Sequence, residues 1–174
     1  LINQYPDLQL LLGHGSGSFG HVPARAYGTR KGVNTSEEWK GFAEVWAEAR
    51  ALNQILLEAL LDAGIPVISF PPSSSIISRN REIIHWSTYP IQQALRNHLI
   101  PVVYGDVVFD EQIGGTILST EGLFSYLAAL FKPKRILLAG LEEGVWNDYP
   151  QRTTLISSIT PLNFPSIKSQ LRGS

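Results

Sequence analysis

Cysteine and methionine are both absent from the 174 residues. Without cysteine there can be no disulfide and no thiolate metal site, so the fold must be held by its packed core. That absence leaves the compartment open, and a cytoplasmic location is the expectation. Without methionine, Leu1 is not an initiator residue, and both ends read as cuts, with Gln170–Ser174 looking like the lip of a loop. Charge is scarce as well: 17% of residues are charged, and 14 basic residues against 15 acidic ones leave a net charge of −1. There is no basic surplus to attract nucleic acid or an anionic membrane surface, so any anion site must be local. The apolar runs are too short and interrupted to span a bilayer, and no charged segment precedes one in the manner of a signal peptide. What is present is 44% apolar residues, enough for one globular domain over residues 1–174 with a sizeable core. No repeat, low-complexity tract or linker interrupts it.

The apolar runs alternate with amphipathic ones. Residues 9–13 read as a buried strand that opens into a glycine-rich stretch, after which Pro23, Gly28 and Gly32 predict a winding segment. Thr35 followed by Glu38 is a capping box. From there Phe42, Val45, Trp46, Ala49, Leu52, Leu56, Leu60 and Ala63 form the stripe of a long helix, closed by Gly64. Ile65–Phe70 is a second buried strand stopped by Pro71 and Pro72, which makes a βαβ unit with the first. Ser73–Arg81 is a polar connection or short hairpin. A helix is predicted over Tyr89–Asn97, a third strand over Ile100–Tyr104, and a hairpin over Val107–Phe109 and Thr116–Leu118. Ser119 starts another helix with Glu121 in its first turn. Arg135–Ala139 is a predicted fourth buried strand. Apolar strands with no period of two, alternating with helices, indicate an α/β fold: a three-layer αβα sandwich around an open, mainly parallel sheet. Ligands in such sheets lie at the carboxyl ends of the strands, so Gly13, Pro71, Gly105 and Gly140 are expected to converge.

The first of these ends carries the chemistry. Gly13 to His21 reads Gly-His-Gly-Ser-Gly-Ser-Phe-Gly-His, a backbone able to approach a ligand closely and present N–H groups to an anion. Two histidines bracket it, and imidazole can donate to a phosphate oxygen in either protonation state. Gly15, Gly17 and Gly20 satisfy the dinucleotide fingerprint, but the acid that should end the next strand is missing, since that strand ends Phe70-Pro71-Pro72. Gly15 to Val22 also fits the protein-kinase glycine loop, yet no strand lysine, His-Arg-Asp or Asp-Phe-Gly follows. No Gly-Lys-Ser or Gly-Lys-Thr is present for a Walker loop.

Taken along the whole chain, His14–His21, Leu52-Asn53, Pro101–Asp110, Ile117-Leu118-Ser119, Gly144-Val145 and Pro150 resemble the isopentenyl phosphate kinases of the amino-acid-kinase superfamily. The resemblance implies ATP-dependent phosphorylation of isopentenyl phosphate to isopentenyl diphosphate in isoprenoid biosynthesis. It implies ATP and Mg²⁺ as cofactors, no protein metal site, and a homodimer. By position, His21 is carried over as the catalytic residue and as a ligand of the acceptor phosphate. Ser16 through its backbone, Thr120 and Asp106 fall on the substrate side, and Gly15, Gly17 and Glu142 on the nucleotide side. His14 reads as a histidine bonded to neighbouring loops, and Asp110 as a turn-forming residue. Trp39, Phe42, Val45 and Trp46 border the family's isoprenyl pocket or pack in the core. The resemblance is broken where the family's Ser-Gly-Asp turn reads Ser119-Thr120-Glu121 and where Leu141 replaces an aspartate. The family's Lys-x-Gly-Gly-Ser loop and Thr-Gly-Gly-Met block do not occur in the sequence, which implies a middle portion of a kinase. Other readings are a kinase for another phosphate or phosphonate acceptor, or a non-catalytic ligand-binding domain of the same fold.

Overall fold

The longest element starts where the capping box places it. In the computed structural model, which describes residues 4–5 and 7–170, helix α2 covers Ser36–Asp62. Thr35 Oγ1 accepts from the Glu38 N–H at 3.3 Å, and the Glu38 carboxylate accepts from the Asn34 and Thr35 N–H groups, each at 2.8 Å. Those donors hold the Glu38 carboxyl below the usual range. Gly64 leaves the helix at φ 74°, a left-handed stop that suits glycine. The buried face is Gly41, Phe42, Val45, Ala49 and Asn53, narrower than the stripe in the sequence. Leu52, Leu56 and Leu60 are half-buried, Ala63 is exposed, and Trp46 lies at the edge under the Arg50 guanidinium, 5.6 Å from its ring centroid.

The predicted winding segment is instead largely helical: α1 covers Gly17–Tyr27 with Pro23 inside it. Gly, Ser and Pro are weak helix formers, so the propensity points elsewhere; packing against α2 decides the matter. Gly41 of α2 lets the Tyr27 ring lie directly on that helix, because a Cβ there would come within 2.1 Å of Tyr27 Cγ. Gly20 is the buried residue of α1.

The strands form two sheets. In the first, β1 (Leu12–His14) and β2 (Val67–Ser69) flank β5 (Ile100–Tyr104), both parallel to it. The two strands of the expected βαβ unit are therefore separated by β5, which is buried at every residue. In the second sheet the order is β4-β3-β6-β7, built from β3 (Ile76–Arg79), β4 (Glu82–Trp86), β6 (Asp106–Asp110) and β7 (Gly114–Leu118). The β3–β4 and β6–β7 pairs are antiparallel, while β3 and β6 run parallel. Only Gly105 separates β5 from β6, so the chain passes from one sheet into the other through a single residue. The α/β class holds, with parallel and mixed ladders rather than one open sheet.

Helices α3 (Tyr89–Arg96) and α4 (Thr120–Phe131) fall where expected, the latter capped by Ser119, whose Oγ accepts from Gly122 N–H at 3.2 Å. One core cluster joins Ile76, Trp86, Ile91, Val103, Val108, Leu118, Leu123 and Leu127; a second joins Val33, Phe42, Val45 and Val107.

By contact the chain divides into two units, Leu1–Lys132 and Pro133–Ser174. In the second, Arg135–Ala139 is not the buried strand its composition suggests: it pairs with no described strand, and Leu137 and Leu138 are 83% and 90% exposed. A strand of this kind needs ladder partners and cover on both faces, and apolarity alone supplies neither. The unit is organised by an isolated bridge between Trp146 and Leu155. Asp148 closes that turn by accepting from the Thr153 side chain and the backbone N–H groups of Thr153 and Thr154, contacts that lower its pKa. Helix α5 covers Phe164–Gln170. Gln170 thus ends a helix, and the rest of the expected loop lip, residues 171–174, lies outside the described residues.

Candidate functional site

Three of the four strand ends meet. Where β1 ends, the His14 carbonyl accepts from Thr120 Oγ1 at 2.6 Å and from Gly105 N–H at 3.2 Å. This ties the end of β1 to the first residue of α4 and to the link between the sheets. Where β2 ends, the Ser73 N–H donates to Asp106 Oδ2 at 3.3 Å. Gly140, the fourth expected member, belongs to the second unit. Gly13 is a packing glycine: a Cβ there would lie 2.2 Å from the Phe124 ring of α4.

Beyond His14 the glycines have a different character. A Cβ on Gly15 or Gly17 would meet no protein atom within 4 Å. Gly17 has φ 51°, which glycine adopts without strain, but Gly15 is held to glycine by neither backbone angle nor packing. This bare backbone leads into the N-terminus of α1. There Ser16 makes no side-chain capping bond and the first turn carries no acid, so N–H groups and the positive end of the helix dipole are offered outward. His21 is exposed on the same helix, one i,i+4 step from Gly17. An open groove of about 750 Å³ lies between α1 and α2, lined by Ser18, Phe19, Val22, Pro23, Ala26 and Tyr27 of α1 and by Glu44, Ala47 and Glu48 of α2.

Behind the turn lies a polar chain. His14 Nδ1 is 3.0 Å from the Gly15 carbonyl oxygen, and Nε2 is 3.1 Å from Asn53 Oδ1 of α2; Asn53 Nδ2 in turn donates to Ser69 Oγ of β2 at 2.9 Å. The imidazole stacks on Tyr104 with centroids 5.2 Å apart and planes 10° apart. Asn53 is buried and Tyr104 is 1% exposed. The reading of His14 as bonded to its neighbours agrees with this arrangement. Asn53 is a component that periodicity hides, since a buried polar residue sits in line with Phe42, Val45 and Ala49.

The acids separate into distinct environments. Asp106 is 1% exposed, its carboxylate accepting from Val107 N–H at 2.8 Å as well as from Ser73. Burial outweighs those bonds and pushes its pKa up to about 6. Close by, the Tyr104 hydroxyl is buried without a hydrogen-bond partner, and burial, then the charge of Asp106, push its pKa up. For Asp110 burial again opposes ionisation, but accepted bonds from Arg81, Ser78, Gln112, Ile113 and Asn80 win and hold its carboxyl well below the usual range. Asp110 therefore pins the β3–β4 turn, where Asn80 and Arg81 both have positive φ, to the β6–β7 turn. Arg79 pairs with Glu111 at the surface and Arg81 contributes its backbone to Asp110. In the second unit both oxygens of Glu142 are engaged, one by Trp146 Nε1 at 2.7 Å and the other by Arg152 at 3.0 Å. Phe42 and Val45 are core residues, whereas Trp39 and Trp46 remain 37% and 38% exposed.

The amino acid kinase family model matches residues 2–172. An isopentenyl phosphate kinase of Methanocaldococcus jannaschii is 33% identical over 177 residues, an alignment covering 99% of this chain and 65% of that protein. A protein of the same name from Methanothermobacter thermautotrophicus is 32% identical over 149 residues, covering 82% and 56%. A solved isopentenyl phosphate kinase superposes with a TM-score of 0.78 at 31% identity, covering 86% of this chain and 63% of its own. The chain thus spans less than two thirds of the length of these relatives. With the family's pattern running through both units, this chain belongs to the amino acid kinase family.

Proposed function

We propose that the protein containing this chain transfers a phosphoryl group from ATP to isopentenyl phosphate, yielding isopentenyl diphosphate and ADP. The observation that carries this reading is Gly15: a glycine required by neither φ nor packing, next to a helix N-terminus, is explained by a ligand that needs the backbone bare. The acceptor is the one for which the related kinases are named.

In this scheme the Ser16 N–H and the rest of the first turn of α1 hold the acceptor phosphate, and His21 donates a hydrogen bond to it. Gly17 lies against the group in transit, and Gly15 belongs to the nucleotide side. Thr120 and Asp106 serve the acceptor side indirectly, Thr120 by fixing the His14 carbonyl and Asp106 by fixing the loop after β2. Bringing two anions into line and neutralising them is most of the catalysis of phosphoryl transfer. The exposed backbone donors fit phosphate, and bound ATP supplies the phosphoryl group. The Mg²⁺ proposed here enters with the nucleotide.

The proposal extends to one amino-acid-kinase domain that includes both units, to isoprenoid biosynthesis, to a homodimer and to a cytoplasmic enzyme. Among the described residues no helix is long and apolar enough to cross a membrane. The test is ADP release by the full-length protein at saturating Mg²⁺ and ATP, with isopentenyl phosphate compared against other phosphate and phosphonate acceptors. Turnover should be greatest with isopentenyl phosphate. His21→Ala should lower it about tenfold or more, the loss expected when a hydrogen bond to a charged group worth about 1.5–3 kcal/mol is removed. No ADP above background from the wild-type protein would overturn the reading.

A further inference from the structure

We infer that His14 is a positioning residue: its Nδ1–H holds the Gly15 carbonyl and so aims the Ser16 N–H outward, toward the phosphate. The inference rests on the reading of the glycine turn as a phosphate cradle, and four observations build it.

First, the His14 backbone is itself immobilised, its carbonyl accepting from both Thr120 Oγ1 and Gly105 N–H. The next peptide, Gly15–Ser16, has no such brace from the sheet; its carbonyl is held by the imidazole at 3.0 Å. Second, the Gly15 carbonyl oxygen and Asn53 Oδ1 can only accept, so each contact needs a proton on the ring nitrogen that faces it, Nδ1 for Gly15 and Nε2 for Asn53. Third, a trans peptide is planar, with its C=O and N–H pointing in opposite directions. Drawing the Gly15 oxygen toward His14 turns the Ser16 N–H the other way. A peptide that flipped would present an oxygen to the anion in place of a donor, reversing the sign of the interaction.

Fourth, the imidazole is fixed on three sides. Asn53 from α2 meets Nε2, Ser69 from β2 holds Asn53, and the Tyr104 ring of β5 lies flat against it. A ring with so many supports acts through what it orients.

The two conservative replacements separate this role from a general structural one. Asparagine can place an amide nitrogen near the position of Nδ1 and keep the Gly15 contact while losing Asn53. Glutamine reaches the position of Nε2, keeping Asn53 and losing Gly15. In the full-length protein, His14→Asn should retain turnover within about threefold and leave the glycine-turn backbone amide resonances of Gly15, Ser16 and Gly17 close to their wild-type positions. His14→Gln should shift those resonances and lower turnover about tenfold or more, the scale of loss for misplaced binding groups. Melting temperatures of both variants check that the fold is retained. Unmoved resonances in His14→Gln, or a greater loss in His14→Asn than in His14→Gln, would overturn the inference. Failure of the wild-type protein to turn over any phosphate acceptor would instead overturn the functional reading, and the resonance comparison would still decide the role of His14.

Discussion

Asp106 gives the molecule a pH dependence of stability whose sign is opposite to that of an ordinary carboxylate. Buried at the start of β6, it has its pKa pushed up from 3.8 to about 6, because losing water costs the charged form more than the Val107 and Ser73 N–H groups return. Between those two values the folded chain keeps a proton that the unfolded chain has released. The native state therefore binds more protons, and stability must fall as pH rises. The contribution is fully present below about pH 4 and is lost as pH passes 6. A rise from 3.8 to about 6 corresponds to about 3 kcal/mol. Asp106→Asn removes the titration while keeping one acceptor oxygen. The assay is urea unfolding of both proteins at half-unit steps from pH 4 to 7.5, with the wild-type free energy referred to that of the variant so that other groups cancel. The difference should decline by about 3 kcal/mol across the window, with its midpoint between 4 and 6. A flat difference, or one that grows with pH, would refute the argument that desolvation dominates at this site.

Asp110→Ala leaves four backbone N–H groups without their acceptor, while the Ser78 hydroxyl keeps the Phe109 carbonyl, and should destabilise by about 3 kcal/mol or more in urea unfolding; a loss below about 1 kcal/mol would remove it as the pin between the two turns. Because its carboxyl is held below the usual range, the stabilisation from Asp110 is present at neutral pH and should be lost only as pH falls below about 4, a window distinct from that of Asp106. Tyr104→Phe deletes a buried hydroxyl with no partner and should leave stability unchanged or raise it by about 1 kcal/mol, whereas a clear loss would reveal an unseen bond.

The local signals in the sequence proved strong where a backbone group and a side chain are neighbours in the chain. Thr35 with Glu38, Ser119 at the start of α4 and Gly64 at the end of α2 carry their structural meaning within a few residues. The departures come from long-range packing. Gly17–Tyr27 is helical because Gly41, fourteen residues beyond Tyr27, gives that ring a place to lie. The β3–β4 turn forms at Asn80-Arg81, a pair without the expected glycine, because Asp110 takes up both N–H groups from across the sheet. Arg135–Ala139 has the composition of a buried strand but no described partner. At the site, Gly15, Gly17 and His21 were legible as residue types able to meet a phosphate. Of the support behind them, Asn53 was marked only by the resemblance at Leu52-Asn53 and not by periodicity, since it shares an apolar face, and the Thr120 and Tyr104 contacts with His14 join residues about ninety positions or more apart in the chain.

On the proposed function, Gly15 is a glycine for the sake of a bound phosphate and not for the sake of the fold. Gly15→Ala in the full-length protein tests it directly, with melting temperature and the rate of ADP release on isopentenyl phosphate measured on the same preparation. A Cβ at this position meets no protein atom within 4 Å, so the melting temperature should stay level or rise slightly, as for an alanine in an unstrained position, while turnover should fall about tenfold or more. Full activity in a stable Gly15→Ala protein would show that no phosphate requires a bare backbone there.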